Sequence, residues 1–397
     1  MSLAKLQLKK NEEKRIKSGH LWIYSNEVDI QATPLKQFNV GQQIIIESSQ
    51  GKPLGVGYIN PNNLLCARIL NRDYKRPIDK SLFVHRLKIA QSIRERLFKQ
   101  PFYRACYGES DGLPGLIVDR FGEHLVVQIT TAGMEAIKDD IVEALSKVYK
   151  PSSILLRNDS NARKAEALSP EIEQAEGLTP DEVLITENNT QFLIKPHTGQ
   201  KTGWFYDHRV SRQQIAKYCE GKRVLDVFSY IGAFGLQMLS HGASELWSID
   251  ISAKALDEQE QNAVLNKVDD KITLVEGDAH TAMKELKQQG EKFDIVIVDP
   301  PAFIKKKKDH KAGLSAYRKV NEAAIRLLEK DGILLSASCS MHLKSNELQD
   351  CVRGAGRHLD KTVQLLEHCH QGQDHPIHPS IPETEYIKGV IARVLTA

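Results

Sequence analysis

The sequence has no apolar run long enough for a membrane helix. Its longest apolar stretches, such as Ile295 to Val298 and Ile333 to Leu335, fall far short of the ~20 residues that cross a bilayer. The N-terminus also lacks an apolar segment behind a basic start. It carries Lys9, Lys10, Glu12, Glu13, Lys14 and Arg15, which argues against a secretory leader and predicts a cytoplasmic protein. Cysteine is sparse, at positions 66, 106, 219, 339, 351 and 369, and no two form a CxxC pair. That pattern argues against a zinc site or a disulfide framework, and we assign no metal ligands. Low-complexity tracts are missing, and 41% of the 397 residues are hydrophobic, which excludes wholesale disorder and allows two or three domains with real cores. The formal net charge of +3 favours a nucleic-acid partner only weakly, so local clusters carry more weight.

Three stretches with different rhythms predict three domains. Residues 1–75 read as small β structure. Strands at Gln43–Glu47, Pro53–Ile59 and Leu64–Leu70 are separated by turns at Ser49-Gln50-Gly51-Lys52 and Asn60-Pro61-Asn62-Asn63, the pattern of a little barrel. Residues 76–185 hold a helix over 80–100 and the turn-rich Gly108-Glu-Ser-Asp-Gly-Leu-Pro-Gly115. Strands Leu116–Asp119 and Leu125–Ile129, a helix Glu135–Val148 and a strand Ser153–Arg157 follow, making a small mixed α/β domain. The polar residues 158–182, with Pro170 and Pro180, read as a connection. From residue 190 to 397, strands at Arg223–Phe228, Glu245–Ile249, Ile272–Val275, Phe293–Val298 and Gly332–Ala337 alternate with helices. This is the signature of a doubly wound parallel sheet, an α/β Rossmann-like domain. Val363–Glu367 and Ile387–Val394 are two further strand candidates.

In such a sheet, ligands bind beyond the carboxyl ends of the strands. Four of those ends carry acids: Asp226, Asp250, Asp278 and Asp299, spaced 24, 28 and 21 residues apart, one βα unit per step. After Asp226, the segment Val227-Phe228-Ser-Tyr-Ile-Gly232-Ala-Phe-Gly235 turns into a helix, and its glycines let backbone approach a ligand. Any one of these acids is more often a helix N-cap or a solvated loop residue; four in phase are a pattern. Asp250 is placed to accept from ribose hydroxyls, Asp278 from an adenine amino group, and Asp226 to face a cationic amine. S-adenosylmethionine (SAM) has all three groups and no phosphate. A nicotinamide site would need G-x-G-x-x-G and would not set an acid just before it.

Asp299-Pro300-Pro301-Ala302-Phe303 follows the fourth strand. Proline fixes the backbone there, Asp299 and Pro300 border the methyl donor, and Pro301 and Phe303 can pack on a planar base. The alternative is a rigid turn. Cys339 ends the fifth strand, on the same edge as Asp299. A thiolate adding to carbon 6 of a pyrimidine makes carbon 5 a nucleophile for a sulfonium methyl, while Asp299 would neutralise charge at N3. The sequence does not identify the base that removes the carbon 5 proton. The other five cysteines read as packing. Lys305 to Lys308 are equally a solvated loop or phosphate contacts. The segment Lys201-Thr-Gly-Trp204-Phe-Tyr206-Asp207-His-Arg209 mixes bases and aromatics; Lys201 and Arg209 are candidate RNA contacts there, against the plainer reading of a surface hairpin.

At these residues the chain resembles the large-subunit ribosomal RNA methyltransferase I family, bacterial class I SAM-dependent enzymes that form 5-methylcytosine in 23S rRNA. Gly19-His-Leu-Trp22-Ile-Tyr24-Ser resembles the start of that family's RNA-binding PUA barrel. Gly108 to Gly115 with Asp119-Arg-Phe-Gly122 resembles its central domain. Gln200-Lys-Thr-Gly203, Asp226 to Gly232, Asp299-Pro-Pro301 and Ser338-Cys339-Ser340 resemble its catalytic motifs. The resemblance covers essentially the whole chain. It implies a SAM cofactor, Cys339 as nucleophile, Trp22 in the RNA-binding barrel, and 23S rRNA or a large-subunit precursor as partner. Two departures stand out: Ala302 where the family commonly has Lys, and no second cysteine near Asp-Pro-Pro. Two rivals remain: an exocyclic amino (N6-adenine or N2-guanine) methyltransferase in which Cys339 is idle, and a non-catalytic RNA-binding or assembly protein. The sequence leaves oligomeric state open, a homodimer included.

Overall fold

The computed structural model describes residues 3–76 and 78–396. In chain order the strands are β1 (Ala4–Gln7), β2 (Trp22–Tyr24), β3 (Gln42–Glu47), β4 (Pro53–Ile59), β5 (Leu65–Asn71), β6 (Phe102–Tyr107), β7 (Leu116–Phe121), β8 (His124–Ile129), β9 (Ser153–Asn158), β10 (Glu171–Gly177), β11 (Val183–Glu187), β12 (Thr190–Ile194), β13 (Arg223–Val227), β14 (Glu245–Asp250), β15 (Ile272–Glu276), β16 (Phe293–Val298), β17 (Leu328–Ser338), β18 (Lys361–His370) and β19 (Lys388–Thr396). The helices are α1 (Glu13–Lys17), α2 (Lys80–Leu97), α3 (Ala132–Glu135), α4 (Lys138–Tyr149), α5 (Asn161–Ala165), α6 (Arg209–Ile215), α7 (Gly235–Ser240), α8 (Ala253–Leu265), α9 (Ala279–Gln288), α10 (His310–Leu327) and α11 (Ser345–His358).

The chain divides into two compact units, one of Met1–Val183, Ile194–Tyr206 and Gln373–Thr384, the other of Leu184–Leu193, Asp207–Gly372 and Glu385–Ala397. The first holds two five-stranded sheets, in the orders β1-β3-β4-β5-β2 and β10-β9-β8-β7-β6. They are joined by a common core: Val56 and Tyr58 of β4 pack with Phe83, Leu116, Val127 and Leu145. The Tyr58 hydroxyl donates to the Pro114 carbonyl at 2.8 Å, and Gly133 lies so close to the Tyr58 ring that a Cβ there would overlap it. The first stretch also keeps a core of its own, with Leu6, Ile23, Ile44, Ile59 and Ile69 among its members, and residues 373–384 belong to the same unit. Arg94, fully buried, grips Asp111 with two 2.7 Å bonds and the Asp374 carbonyl at 2.9 Å. Removing either side of such a pair leaves an uncompensated buried charge. Residues 158–182 are also more ordered than expected: β10 pairs antiparallel with β9.

The second unit is built on a seven-stranded sheet, β15-β14-β13-β16-β17-β19-β18. β15 through β17 run parallel and β19 antiparallel to both its neighbours. Four of β16's last five residues and most of β13 are buried, as strands covered on both faces require, and this explains the apolar run Ile295 to Val298. Helices start where side chains cap them: Ser252 accepts from the Ala255 amide at 3.2 Å and Asp278 from Thr281 at 3.0 Å. The strand order reverses at β13, so the crevice at its carboxyl end is the ligand position of this topology. Among the described residues no helix is long and apolar enough to cross a membrane.

Leu334, fully buried on β17 in the sheet core, should cost about 2–5 kcal/mol when changed to Ala. Leu366→Ala, on the half-open face of β18, should fall within about 0.5 kcal/mol of wild type. Urea unfolding followed by circular dichroism checks the difference.

Candidate active site

The loop after β13 is strained at three of five positions. Phe228, Tyr230 and Gly232 have φ of 68°, 51° and 81°, and left-handed non-glycine residues persist where the surroundings over-determine them, often at functional sites. Amides of Phe228 and Ser229 donate to the Ile249 carbonyl at 2.9 and 3.1 Å, and Tyr230 donates to Asp250 Oδ2 at 2.9 Å. A Cβ on Gly232 would lie 2.7 Å from Gln259 Cγ, and one on Gly235 would lie 2.7 Å from Leu246. The loop is therefore drawn tightly onto β14 and α8.

Asp226 is only 1% exposed, and its carboxylate accepts from the Gly235 amide at 2.9 Å. Its expected direct contact with a ligand amine is corrected on this point: the carboxylate is enclosed by the loop it anchors. Burial pushes its pKa up to about 7, the charges of Asp299 and Asp250 push the same way, and the Gly235 N–H opposes them. Asp250 is half-buried and also accepts from the Ser252 amide at 2.9 Å. Asp278 is exposed, and its Oδ1 caps α9, bonding both the amide and hydroxyl of Thr281, which holds its carboxyl below the ordinary range despite slight burial. Beside them Ile251 presents 74% of its surface, an apolar residue between two acidic strand ends that sequence reasoning passed over. The charges of Asp299 and Asp250 both act on Asp226, and clustered carboxylates with an adjacent apolar side chain fit a cationic ligand that carries a flat ring. SAM, with an ammonium, a sulfonium, a ribose diol and an adenine, is such a ligand.

Asp299 follows β16, and its Oδ2 lies 3.4 Å from Nε2 of the buried His208, whose Nδ1 has no hydrogen-bond partner among the described residues. His208 also meets the Phe234 ring edge-on at 5.6 Å. The sequence reading quoted its segment without singling it out. Pro300 is buried, Pro301 exposed, and Phe303 half-buried against Tyr317, ring centroids 4.8 Å apart. The Tyr317 hydroxyl is the junction of this region. It lies 2.6 Å from Ser338 Oγ and 2.8 Å from Ser340 Oγ, and accepts from the Phe303 amide at 3.4 Å. Ser340 Oγ in turn accepts from the Ile304 amide at 3.3 Å. A phenol has one proton to give and two lone pairs, so these three partners fill its capacity. The segment after Asp299-Pro-Pro is thus tied to Ser338-Cys339-Ser340. Cys339 is partly exposed, whereas the other five cysteines are buried.

The remaining candidates fall elsewhere. Arg209 is buried and paired with Glu187 at 3.2 Å, alongside Arg212 on the same carboxylate at 2.6 Å. That removes it from the RNA-contact set, because its charge is already neutralised inside the fold. In the first unit, Trp204 and Tyr206 are buried, Thr202 donates to Asp119 at 2.6 Å, and the Tyr206 hydroxyl donates to the Arg120 carbonyl at 2.9 Å; this segment is core structure and not a surface hairpin. Lys201 is exposed over the Phe205 ring at 4.6 Å. Trp22 is half-buried, with its indole N–H on Glu109 at 2.9 Å.

The reversed parallel sheet, the glycine turn after β13 and the acids at successive strand ends define the second unit as a SAM-dependent methyltransferase domain. A family described as S-adenosylmethionine-dependent methyltransferase matches residues 164–359, and a PUA-like domain family matches residues 6–72. The chain is 37% identical to ribosomal RNA large subunit methyltransferase I of Aeromonas hydrophila, over 98% of this chain and 99% of that one, and 36% identical to the protein of the same name from Escherichia coli, with the same coverage. It belongs to the ribosomal RNA large subunit methyltransferase I family. The fold is shared with a SAM-dependent methyltransferase from Streptococcus mutans (TM-score 0.83, 20% identity, 98% of this chain and 100% of that one) and with a methyltransferase complexed with SAH (TM-score 0.85, 20% identity, equal coverage).

The Asp226 carboxyl titrates higher in the folded chain than its ordinary value of 3.8, so ionising it opposes folding, increasingly as pH rises from about 4 to 7. Asp226→Asn, which keeps the shape and the acceptor for Gly235, should gain stability over wild type through that window, by roughly 4 kcal/mol at most. Thermal unfolding without ligand at pH 4 and pH 8 checks it: the two proteins should converge at pH 4 and separate at pH 8.

Proposed function

We propose that this chain methylates carbon 5 of a cytosine in 23S rRNA, free or in a large-subunit precursor, in the cytoplasm, with Cys339 as the nucleophile. The observation that carries this reading is the tie through Tyr317, which holds the partly exposed Cys339 in register with the backbone after Asp299-Pro-Pro. The relatives' shared name, ribosomal RNA large subunit methyltransferase I, supports the substrate class.

The bound cofactor supplies an electrophilic methyl on a sulfonium. Asp250 would accept from the ribose hydroxyls, and Asp278 would offer its second oxygen to the adenine amino group. Ile251, Phe228 and Gly232 would hold the ring. Asp226 contributes negative charge from beneath the loop, and Asp299 with Pro300 borders the donor. Pro301 and Phe303 pack on the target base, Asp299 hydrogen-bonds its N3 edge, and His208 orients the Asp299 carboxyl. The Cys339 thiolate adds to carbon 6 as N3 takes a proton from the Asp299 carboxyl; the electron pair at carbon 5 then takes the methyl, whose bond to the sulfonium breaks with its electrons left on the donor sulfur. A base takes the carbon 5 proton, the carbon–sulfur bond breaks to restore the thiolate, and N3 returns its proton to Asp299. Lys201, Lys305 to Lys308 and the barrel that carries Trp22, residues 1–75, contact RNA.

Cys339→Ala should lower methyl transfer by about 10³-fold or more while leaving SAM affinity near wild type. Asp250→Ala should weaken SAM binding by about ten- to a hundredfold through loss of charge-assisted hydrogen bonds. Calorimetry reads the binding, and bisulfite sequencing of rRNA from cells with and without the gene reads the product. Full activity in Cys339→Ala would favour direct attack by an exocyclic amine, and an unchanged cytosine profile would remove the assignment.

A further inference from the structure

We propose that Lys388 is the positioning residue that keeps Cys339 as a thiolate, through an ammonium clamped by two backbone carbonyls at the Ser338-Cys339-Ser340 turn. The inference rests on the nucleophilic reading of Cys339 and adds what that reading lacks, a source of ionisation. A free cysteine thiol titrates near 8.5 and is mostly un-ionised at neutral pH, and reactive cysteines lie beside cations or helix N-termini. Cys339 directly follows β17, whose one cation, Lys330, lies at the far end of the strand.

The cation comes from the neighbouring strand. Lys388 opens β19 and pairs in register with Ser338, the residue before Cys339. Its Nζ donates to the Ser340 carbonyl at 3.0 Å and to the Tyr386 carbonyl at 3.1 Å. The Ser340 bond sets the ammonium on the carbonyl of the residue after Cys339. An ammonium has three N–H donors, so among the described residues one is left for an anion. Burial lowers the Lys388 pKa, while the charges of Glu385 and Cys339 raise it. Such coupling is mutual: a thiolate that favours the ammonium is favoured by it in return. Three other titratable groups bear on the pair. His370 of β18 pairs in register with Lys388 on its other side, with its Nδ1 2.9 Å from the Gln371 carbonyl. The Tyr317 phenol is pushed up by burial and by the Cys339 charge, so it stays neutral. Glu385 is an acid. Lys388 is thus the cation of the group. The arrangement also explains why a long charged side chain is half-buried where the sheet turns antiparallel: its head is held by two backbone carbonyls.

The test is the pH dependence of Cys339 alkylation by iodoacetamide in the full chain, read by mass spectrometry of the Cys339 peptide. Because the other five cysteines are buried, this peptide reports the thiol of interest. At pH 7, Lys388→Met should slow alkylation by about tenfold and move the profile to higher pH. Lys388→Arg should remain within about threefold of wild type, and both should bind SAM with unchanged affinity. A Lys388→Met profile that overlays wild type would overturn the proposal. So would a Lys388→Arg profile as slow as Lys388→Met, since packing and not charge would then set the rate. The outcome is separable from the covalent mechanism: alkylation reads the thiol without methyl transfer, whereas retained activity in Cys339→Ala would end the mechanism and leave the Lys388 effect on the thiol in place.

Discussion

The hydroxyl of Tyr317 is the constraint on which the proposed chemistry depends. A nucleophile on β17 and an acid after β16 lie on neighbouring strands, but strand ends alone leave their loops free to drift. One phenol, held on α10 and buried in the fold, meets both serines around Cys339 and the amide of Phe303. All its hydrogen-bonding capacity is used, so a shift of either loop breaks a buried bond and exposes its desolvation cost. Positioning of this kind accounts for a large share of catalytic power when reacting atoms must meet within a fraction of an ångström.

Around that junction the site concentrates features that are costly on their own. Asp226 is a buried acid, Phe228 and Tyr230 hold left-handed backbone, and His208 lies against Asp299 with one ring nitrogen unsatisfied. A cationic cofactor offsets the repulsion among the acids, and the seven-stranded sheet beneath supplies the rigidity that keeps the strain in place. The first unit is a different case. There the buried charges at Arg94 and Asp119 are fully paired, so they fix α2 against the turn after β6, and β6 against β7.

The parallel strands were legible in the sequence because β13 and β16 are mostly buried and read as apolar-rich runs, and the acids were legible because they lie at or near the carboxyl ends of successive strands. What escaped depends on partners far along the chain. β10, Glu-Ile-Glu-Gln-Ala-Glu-Gly, is a polar edge strand that local composition marks as loop. Helix α11 buries Leu348, Cys351, Val352, Ala355 and Gly356 on one face, a helical spacing diluted by two glycines. Arg209 looked like an RNA contact because Glu187, its partner, is 22 residues away. The return of residues 373–384 to the first unit has no local signal at all. Lys388 lies within the strand candidate Ile387–Val394, and only the antiparallel register shows that it faces the Cys339 turn.

The central claim is that sulfur at 339 bonds to the target ring. An RNA substrate carrying 5-fluorocytidine tests it directly, because fluorine cannot leave carbon 5 as a cation and the adduct cannot resolve. With SAM present, the wild-type chain should form a complex with this RNA that survives denaturing electrophoresis, and digestion should find the nucleotide on the Cys339 peptide. A complex formed equally well by Cys339→Ala, or none formed by wild type under conditions where ordinary RNA is methylated, would contradict the account.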